Sequence, residues 1–249
     1  MGFLHKTNHT YFTTVTTEAQ AYILGFIYAD GCLREQVENR QHRVQIGIHV
    51  KDREILDFIA SEISSLEAVK VVHSPSMKKA GHSTQVRWSC SSNQIGNDLI
   101  SLGCTPNKTK EGMVFPSLPN ELYPHFIRGF FDGDGGITVG FVKNRYVRKT
   151  NWVIPNEAKP RIRKRAYFCS SDEQFLKDLL AKLPFSFTYT KRFNRGCYVY
   201  TLETISGVQN LYEYMYENAL VYLKRKYNKF NMTIKSLVED TSSKGLETT

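Results

Sequence analysis

No stretch of this 249-residue chain approaches the ~20 consecutive apolar residues that a membrane-spanning helix needs. Cysteine is sparse: Cys32, Cys90, Cys104, Cys169 and Cys197 are odd in number, widely scattered and form no C-x-x-C pair. That excludes a disulfide framework and argues against a zinc site. The seven histidines show no metal-ligand spacing either. The N-terminus, MGFLHKTNHTYF, lacks a secretory apolar core, and Lys6 stands where a myristoylation motif has Ser or Thr. These absences lead us to expect reduced thiols, no membrane partner and a cytoplasmic location. With no transit-like Arg/Ser helix at the start, a bacterial or phage origin is favoured over an organellar one.

Acidic residues are nearly absent from one long segment. Residues 143 to 165 hold nine Lys or Arg against a single acid, Glu157, so nearly all of the net charge of +9 lies there. Such a block is either a solvated loop or a phosphate-binding surface. Elsewhere the composition is that of a folded protein, 41% hydrophobic and 12% aromatic. Only the end, EDTSSKGLETT, is polar and aperiodic, so a disordered tail is expected from 237 to 249.

Two short stretches share one layout. AYILGFIYADG (21–31) and HFIRGFFDGDG (125–135) place Gly25 and Gly129 five residues before Asp30 and Asp134, and each acid precedes a glycine. The chain goes on matching itself beyond them. RVQIGIHVKDREILDFIASEI corresponds to KRAYFCSSDEQFLKDLLAKL, with Asp52 opposite Asp172 and Leu56 opposite Leu176. Two more strand-like runs and a helical segment close each half. Each half therefore reads helix, two strands, helix, two strands, helix. The boundaries expected are 1–104, a linker at 105–122 rich in Pro, Lys and Asn, and 123–236. Thr17 and Gln20 have capping-box spacing at the start of the first special helix, and Pro124 is a first-turn proline for the second.

The strands alternate. Arg43, Gln45, Gly47 and His49 oppose Val44, Ile46, Ile48 and Val50; Gln85, Arg87 and Ser89 oppose Val86, Trp88 and Cys90; Arg161, Arg163, Arg165 and Tyr167 oppose Ile162, Lys164, Ala166 and Phe168. Period 2 with one apolar face means sheets covered by helices on one side and open on the other. The open faces carry residues that read base edges and bind phosphates. Candidate nucleic-acid-contacting residues are Arg43, Gln45, Gln85, Arg87, Arg161, Arg163, Arg165, Tyr167, Lys191 and Arg192.

The helix ending at Asp30 is apolar nearly all round and must be buried. If Gly25 and Gly129 let the two special helices approach closely, Asp30 and Asp134 arrive together at one end. The glycine after each acid is then the expected left-handed C-terminal cap. Two carboxylates at the negative ends of two helix dipoles repel each other. The arrangement makes sense with divalent cations between them, ions that suit phosphodiester hydrolysis.

The stretches ILGFIYADG (23–31) and IRGFFDGDG (127–135), each followed by a matching strand–helix unit, resemble the paired motifs of the LAGLIDADG homing endonucleases in their single-chain form. The resemblance spans most of residues 17 to 235. It implies an α+β fold of two pseudo-symmetric αββαββα halves whose antiparallel sheets form a saddle over DNA. It implies a monomer that cuts both strands of a long, pseudo-palindromic or asymmetric duplex target across the minor groove, leaving short 3′ overhangs. Mg2+ is the implied cofactor, with Mn2+ as a substitute and Ca2+ supporting binding without cleavage. Asp30 and Asp134 map to the metal-binding acids, with the carbonyls of Ala29 and Gly133 as further ligands and Asp132, opposite Tyr28, as a structural residue. Lysines that organise water near the phosphate map to Lys108 and Lys226, with Lys224 as the other choice for the second. The family commonly ends the strand before the second helix of each half on a polar residue; here Val50 and Ser170 stand there, a departure from that pattern. The alternative function is a non-cleaving nucleic-acid binder on the same fold, an intron RNA maturase or a DNA-binding regulator. Such members often lose a motif acid, whereas this chain keeps both. An intein or an H-N-H nuclease fits poorly, since the required terminal and catalytic residues are missing.

Overall fold

The computed structural model describes residues 7–35, 41–72, 84–142 and 161–232. Most of the basic block, residues 143–160, and the tail from 233 onward lie outside the described residues, and Arg161 and Arg163 are described as backbone only. The first half runs α1 (Glu18–Asp30), β1 (Gly31–Glu35), β2 (His42–His49), α2 (Arg53–Ile63), β3 (Val69–Val72), β4 (Gln85–Ser91) and α3 (Asn93–Ser101). A short helix, α4 (Lys108–Glu111), follows in the connection. The second half runs α5 (Tyr123–Asp134), β5 (Gly136–Val142), β6 (Arg161–Ser170), α6 (Glu173–Ala181), β7 (Tyr189–Asn194), β8 (Cys197–Leu202) and α7 (Ile205–Tyr216). Residues 224–232 form a further helix, α8. Each half thus has the expected αββαββα order, and α4 and α8 are additions that the repeat did not announce.

Each half builds one antiparallel four-stranded sheet, with strand orders β1-β2-β4-β3 and β5-β6-β8-β7. The two central pairs share one logic: His49 opposes Gln85 and Gly47 opposes Arg87 in the first sheet, and Cys169 opposes Val199 and Tyr167 opposes Thr201 in the second. Even-numbered residues of β2 and β6 turn into the core, where Val44, Ile46, Ala166 and Phe168 are buried. Odd-numbered ones form the open face.

The motif helices pack backbone to backbone. Every residue from Ala21 to Ala29 is buried, and so is every residue from Phe126 to Asp132. A Cβ placed on Gly25 would lie 2.0 Å from the carbonyl oxygen of Phe126, and one on Gly129 would lie 2.0 Å from that of Tyr22. The two glycines therefore exchange places across a pseudo-twofold axis, as the repeat suggested. The glycines after the acids differ from expectation. Gly31 has φ −75° and Gly135 has φ −86°, both extended rather than left-handed. Their requirement is space: a Cβ would stand 2.4 Å from the Ile27 oxygen at Gly31 and 2.7 Å from the Phe131 oxygen at Gly135.

The capping box at α1 is present. The Gln20 amide donates to Thr17 Oγ1 at 3.2 Å, and the Thr17 amide donates to Gln20 Oε1 at 3.1 Å. Thr17→Ala should cost about 1 kcal/mol of unfolding free energy, the usual loss for an N-cap hydroxyl, read from the midpoint of urea unfolding.

Polar groups stitch the halves together. Buried Asp132 accepts hydrogen bonds from Tyr22 Oη (2.8 Å), Tyr216 Oη (2.7 Å) and the Leu223 amide (2.8 Å), the structural role expected of it. Buried Arg128 donates to Glu18 at the start of α1 (2.6 Å) and to the Val221 carbonyl (2.9 Å). Arg225 grips Asp52 through Nε, at 2.8 Å from each carboxylate oxygen.

Candidate functional site

Packing α1 against α5 delivers both acids to one place. Ala29 meets Gly133 so closely that a Cβ on Gly133 would lie 2.2 Å from that of Ala29, and 3.3 Å from Asp30 Oδ2. The first carboxylate therefore rests against the last turn of the other helix. Asp30 is exposed and Asp134 half-buried by accessible surface, yet protein atoms crowd both carboxyls enough to strip part of their hydration. That crowding, followed by the charge of Asp134, pushes the Asp30 carboxyl up to about 6. Burial raises Asp134 as well.

Two lysines close the helix ends. Lys108, first residue of α4, donates to the carbonyls of Ile27, Tyr28 and Ala29. Lys226 on α8 donates to those of Phe131 (2.8 Å), Gly133 (2.9 Å) and Gly135 (2.7 Å). Both ammonium groups satisfy last-turn carbonyls and oppose the negative helix ends. Burial lowers both, Lys226 to about 8. Lys224, the other choice, is exposed and paired with Glu54.

The donor set is hard oxygen throughout: two carboxylates and the helix-end carbonyls, two of which, Ala29 and Gly133, also hold a lysine. That chemistry suits a hard divalent cation, with its remaining ligands drawn from outside the chain. Among the described residues no cluster of three His, Cys, Asp or Glu side chains could hold a metal by itself.

The crowding of Asp30 has a measurable sign. Its carboxyl sits above the unfolded value of 3.8, so the unfolded chain releases this proton first. Asp30 therefore weakens the fold as pH rises from about 4 through 6, and the penalty is complete above that window. In chelator at pH 7.5, Asp30→Asn should melt higher than the wild type, and the gain should vanish below about pH 4 in a calorimetric series.

The open faces carry most of the sequence candidates. Arg43 is exposed and donates to Ser89 Oγ at 3.1 Å; Gln45, Gln85 and Arg87 are half-buried beside it. Arg87 lies over Gly47, and its Nε is buried with no hydrogen-bond partner among the described residues. In the second sheet Arg165 pairs with Glu203 at 3.1 Å, and the Tyr167 ring lies across Gly136. Arg161 and Arg163 occupy the same face by register, opposite Val142 and Gly140. Arg192, opposite Val199, belongs to it too. Lys191 does not: it pairs with Tyr200 on the helix-covered side and bonds Glu173 of α6. Alternation places neighbours on opposite faces, so 191 and 192 could not both face outward.

Most of the chain finds counterparts among solved structures. The meganuclease I-AabMI bound to uncleaved DNA matches with TM-score 0.59 at 18% identity, covering 91% of this chain and 93% of that one. I-SmaMI bound to cleaved DNA matches with TM-score 0.59 at 12% identity, covering 94% and 92%. I-LtrWI bound to target DNA matches with TM-score 0.57 at 14% identity, covering 93% and 92%. All three are described as LAGLIDADG meganucleases or homing endonucleases. This chain has the LAGLIDADG homing-endonuclease fold. No protein-family model matches the sequence, and no curated protein is similar to it in sequence.

Within the LAGLIDADG fold, the outer positions are corrected by one residue. Val50 begins a 3-10 turn beyond β2, and Ser170 is buried with its hydroxyl accepting from the Asp172 amide at 3.1 Å. The last open-face residues before α2 and α6 are His49 and Cys169. Alternation along β2 already placed His49 beside Arg43 and Gln45, so the signal was there. Arg225 was missed for a different reason. It lies in the second half yet lines a cavity of about 260 Å3 with Asp30, His49 and Gln85 of the first, a pairing across halves that no local pattern shows.

Proposed function

We propose that this chain is a site-specific DNA endonuclease that hydrolyses both strands of a duplex and acts as a monomer, since one chain contains both halves of the site. The observation that carries the reading is the meeting of Asp30 and Asp134 at paired helix ends, beside sheets whose open faces bear Arg, Gln and Tyr. Asp30 and Asp134, with the carbonyls of Ala29 and Gly133, would hold Mg2+ or Mn2+. A bound divalent ion supplies water activation and charge neutralisation at the phosphate.

The chain's own residues prepare that chemistry. Gly25 and Gly129 set the spacing of the acids. Lys108 and Lys226 lock the last turns that present them, and they place positive charge behind the phosphate. Arg43, Gln45, Gln85, Arg87, Arg165 and Arg192 supply phosphate and base-edge contacts. Cleavage across the minor groove with short 3′ overhangs belongs to this same reading.

Selection of cleaved sites from a random duplex library with Mg2+ tests it. The expected result is one long preferred site cut on both strands, with Ca2+ giving binding and little cutting. Tight binding with no cleavage under any divalent ion would favour the non-cleaving binder instead.

A further inference from the structure

Tyr28 and Asp132 stand two residues before the motif acids, and both are buried. Burying a hydroxyl or a carboxylate is unfavourable unless it is hydrogen-bonded, so their partners show what the two positions are for. The Tyr28 hydroxyl donates to the Leu102 carbonyl at 2.6 Å and stands 3.0 Å from that of Val114. These carbonyls flank residues 103–113, the loop that carries Lys108. The loop is closed at its base, where the Val114 amide donates to the Gly103 carbonyl at 3.0 Å. Thr105 Oγ1 donates across it to the Gly112 carbonyl at 2.6 Å. Gly103, at φ +103°, leaves the hydroxyl its room: a Cβ there would lie 2.9 Å from Tyr28 Oη.

Asp132 does the same for Lys226, with an acceptor in place of a donor. Its carboxylate takes the Leu223 amide at 2.8 Å. The Leu223 carbonyl in turn accepts the amides of Lys226 (2.9 Å) and Tyr227 (3.0 Å), so α8 starts on Leu223. Tyr22 and Tyr216 donate to the same carboxylate and fix its orientation. The lysines complete the circuit. Lys108 donates to the last carbonyls of α1, and Lys226 to those at the end of α5. Each motif helix therefore holds, by one side chain, the segment whose lysine holds that helix's own end.

Resting on the endonuclease reading, we propose that Tyr28 and Asp132 are positioning residues: each anchors the segment that carries a lysine, and through that lysine sets the rate of cleavage. Neither needs to touch DNA or metal. A lysine ammonium rides on a flexible four-carbon stem, so on a loose segment it samples many places. Fastening the backbone beside it leaves only the side chain to order. A displacement of about 1 Å near a reacting group can cost roughly 10²-fold in rate, so the anchor matters even where the fold survives its loss.

The experiment labels lysines of the full chain with acetic anhydride in chelator and reads each site by mass spectrometry. Tyr28→Phe removes one oxygen and keeps the ring contacts with Phe126 and Phe175. In that variant Lys108 should react several-fold faster, with Lys226 unchanged. Asp132→Ala should expose Lys226 and spare Lys108. Asp132→Asn should restore protection, because the amide oxygen can still accept the Leu223 amide. On a selected duplex with Mg2+, Tyr28→Phe should cut about tenfold or more slowly at saturation, while its affinity in Ca2+ stays near that of the wild type. Lys108 reacting at the wild-type rate in Tyr28→Phe, or both lysines exposed equally, overturns the proposal. So does wild-type cleavage by that variant, or a loss confined to affinity. Should Asp132→Ala not fold, Tyr28→Phe decides alone. Selective labelling in a chain that cuts no duplex overturns the endonuclease reading and leaves the anchoring of the lysines standing.

Discussion

Asp30→Asn and Asp134→Asn should each abolish double-strand cleavage, by more than about 10³-fold, while DNA binding survives. The size follows from what an acid at this place would do: losing a charge that holds a catalytic cation removes several kcal/mol of transition-state stabilisation. Asparagine matches aspartate in shape, so the packing of Ala29 on Gly133 is left intact. Binding should be equal or tighter, because a negative charge is removed from the neighbourhood of phosphate. Strand-resolved cleavage and gel-shift titration on one selected duplex read both quantities. Either variant cutting both strands at the wild-type rate would falsify the catalytic assignment. The chelator melting series described for Asp30→Asn supplies the folding control, since that variant should be stabilised at neutral pH.

Gly25→Ala and Gly129→Ala should be the most damaging methyl additions in the molecule. Each new Cβ would fall 2.0 Å from a backbone oxygen of the facing helix, and neither oxygen is the end of a movable side chain. The helices would have to separate along their whole contact, opening the core on both sides. A loss of about 3 kcal/mol or more is expected, roughly 6–12 °C in melting temperature for a chain of this size. Gly47→Ala is the control: the nearest atom is the Arg87 Nε at 4.0 Å, so its melting temperature should stay near the wild type. Cleavage should fall in the helix variants even at temperatures where they stay folded, because helix spacing sets how the two acids meet. A Gly25→Ala protein with wild-type melting and cleavage would show that the close approach is not required.

Much of this molecule is written locally. The capping box of Thr17 and Gln20, the nearly all-round apolar helix that ends at Asp30 and the period-2 strands depend on neighbours within a turn or a pleat, and all are found where their spacing put them. The duplicated acid was legible for the same reason, since the repeat preserves its offset from Gly25 and Gly129. The tertiary structure alone decided the rest. The residue ending each open face turned out to be His49 or Cys169 and not Val50 or Ser170, because a slip of one residue at a strand end reverses the face. Lys191 turned to Glu173 because its cross-strand partner, Tyr200, lies on the covered side. Gly31 and Gly135 are glycines for want of space and not for a left-handed turn. Lys226 was separated from Lys224 by the start of α8, which aims one at the end of α5 and the other at Glu54. Arg225 reached the Asp30 cavity only because two halves of one chain fold across each other. Backbone conformation and face follow from residues close in sequence, whereas a contact between residues 30 and 225 depends on how two separately legible halves pack, and no short-range spacing encodes that.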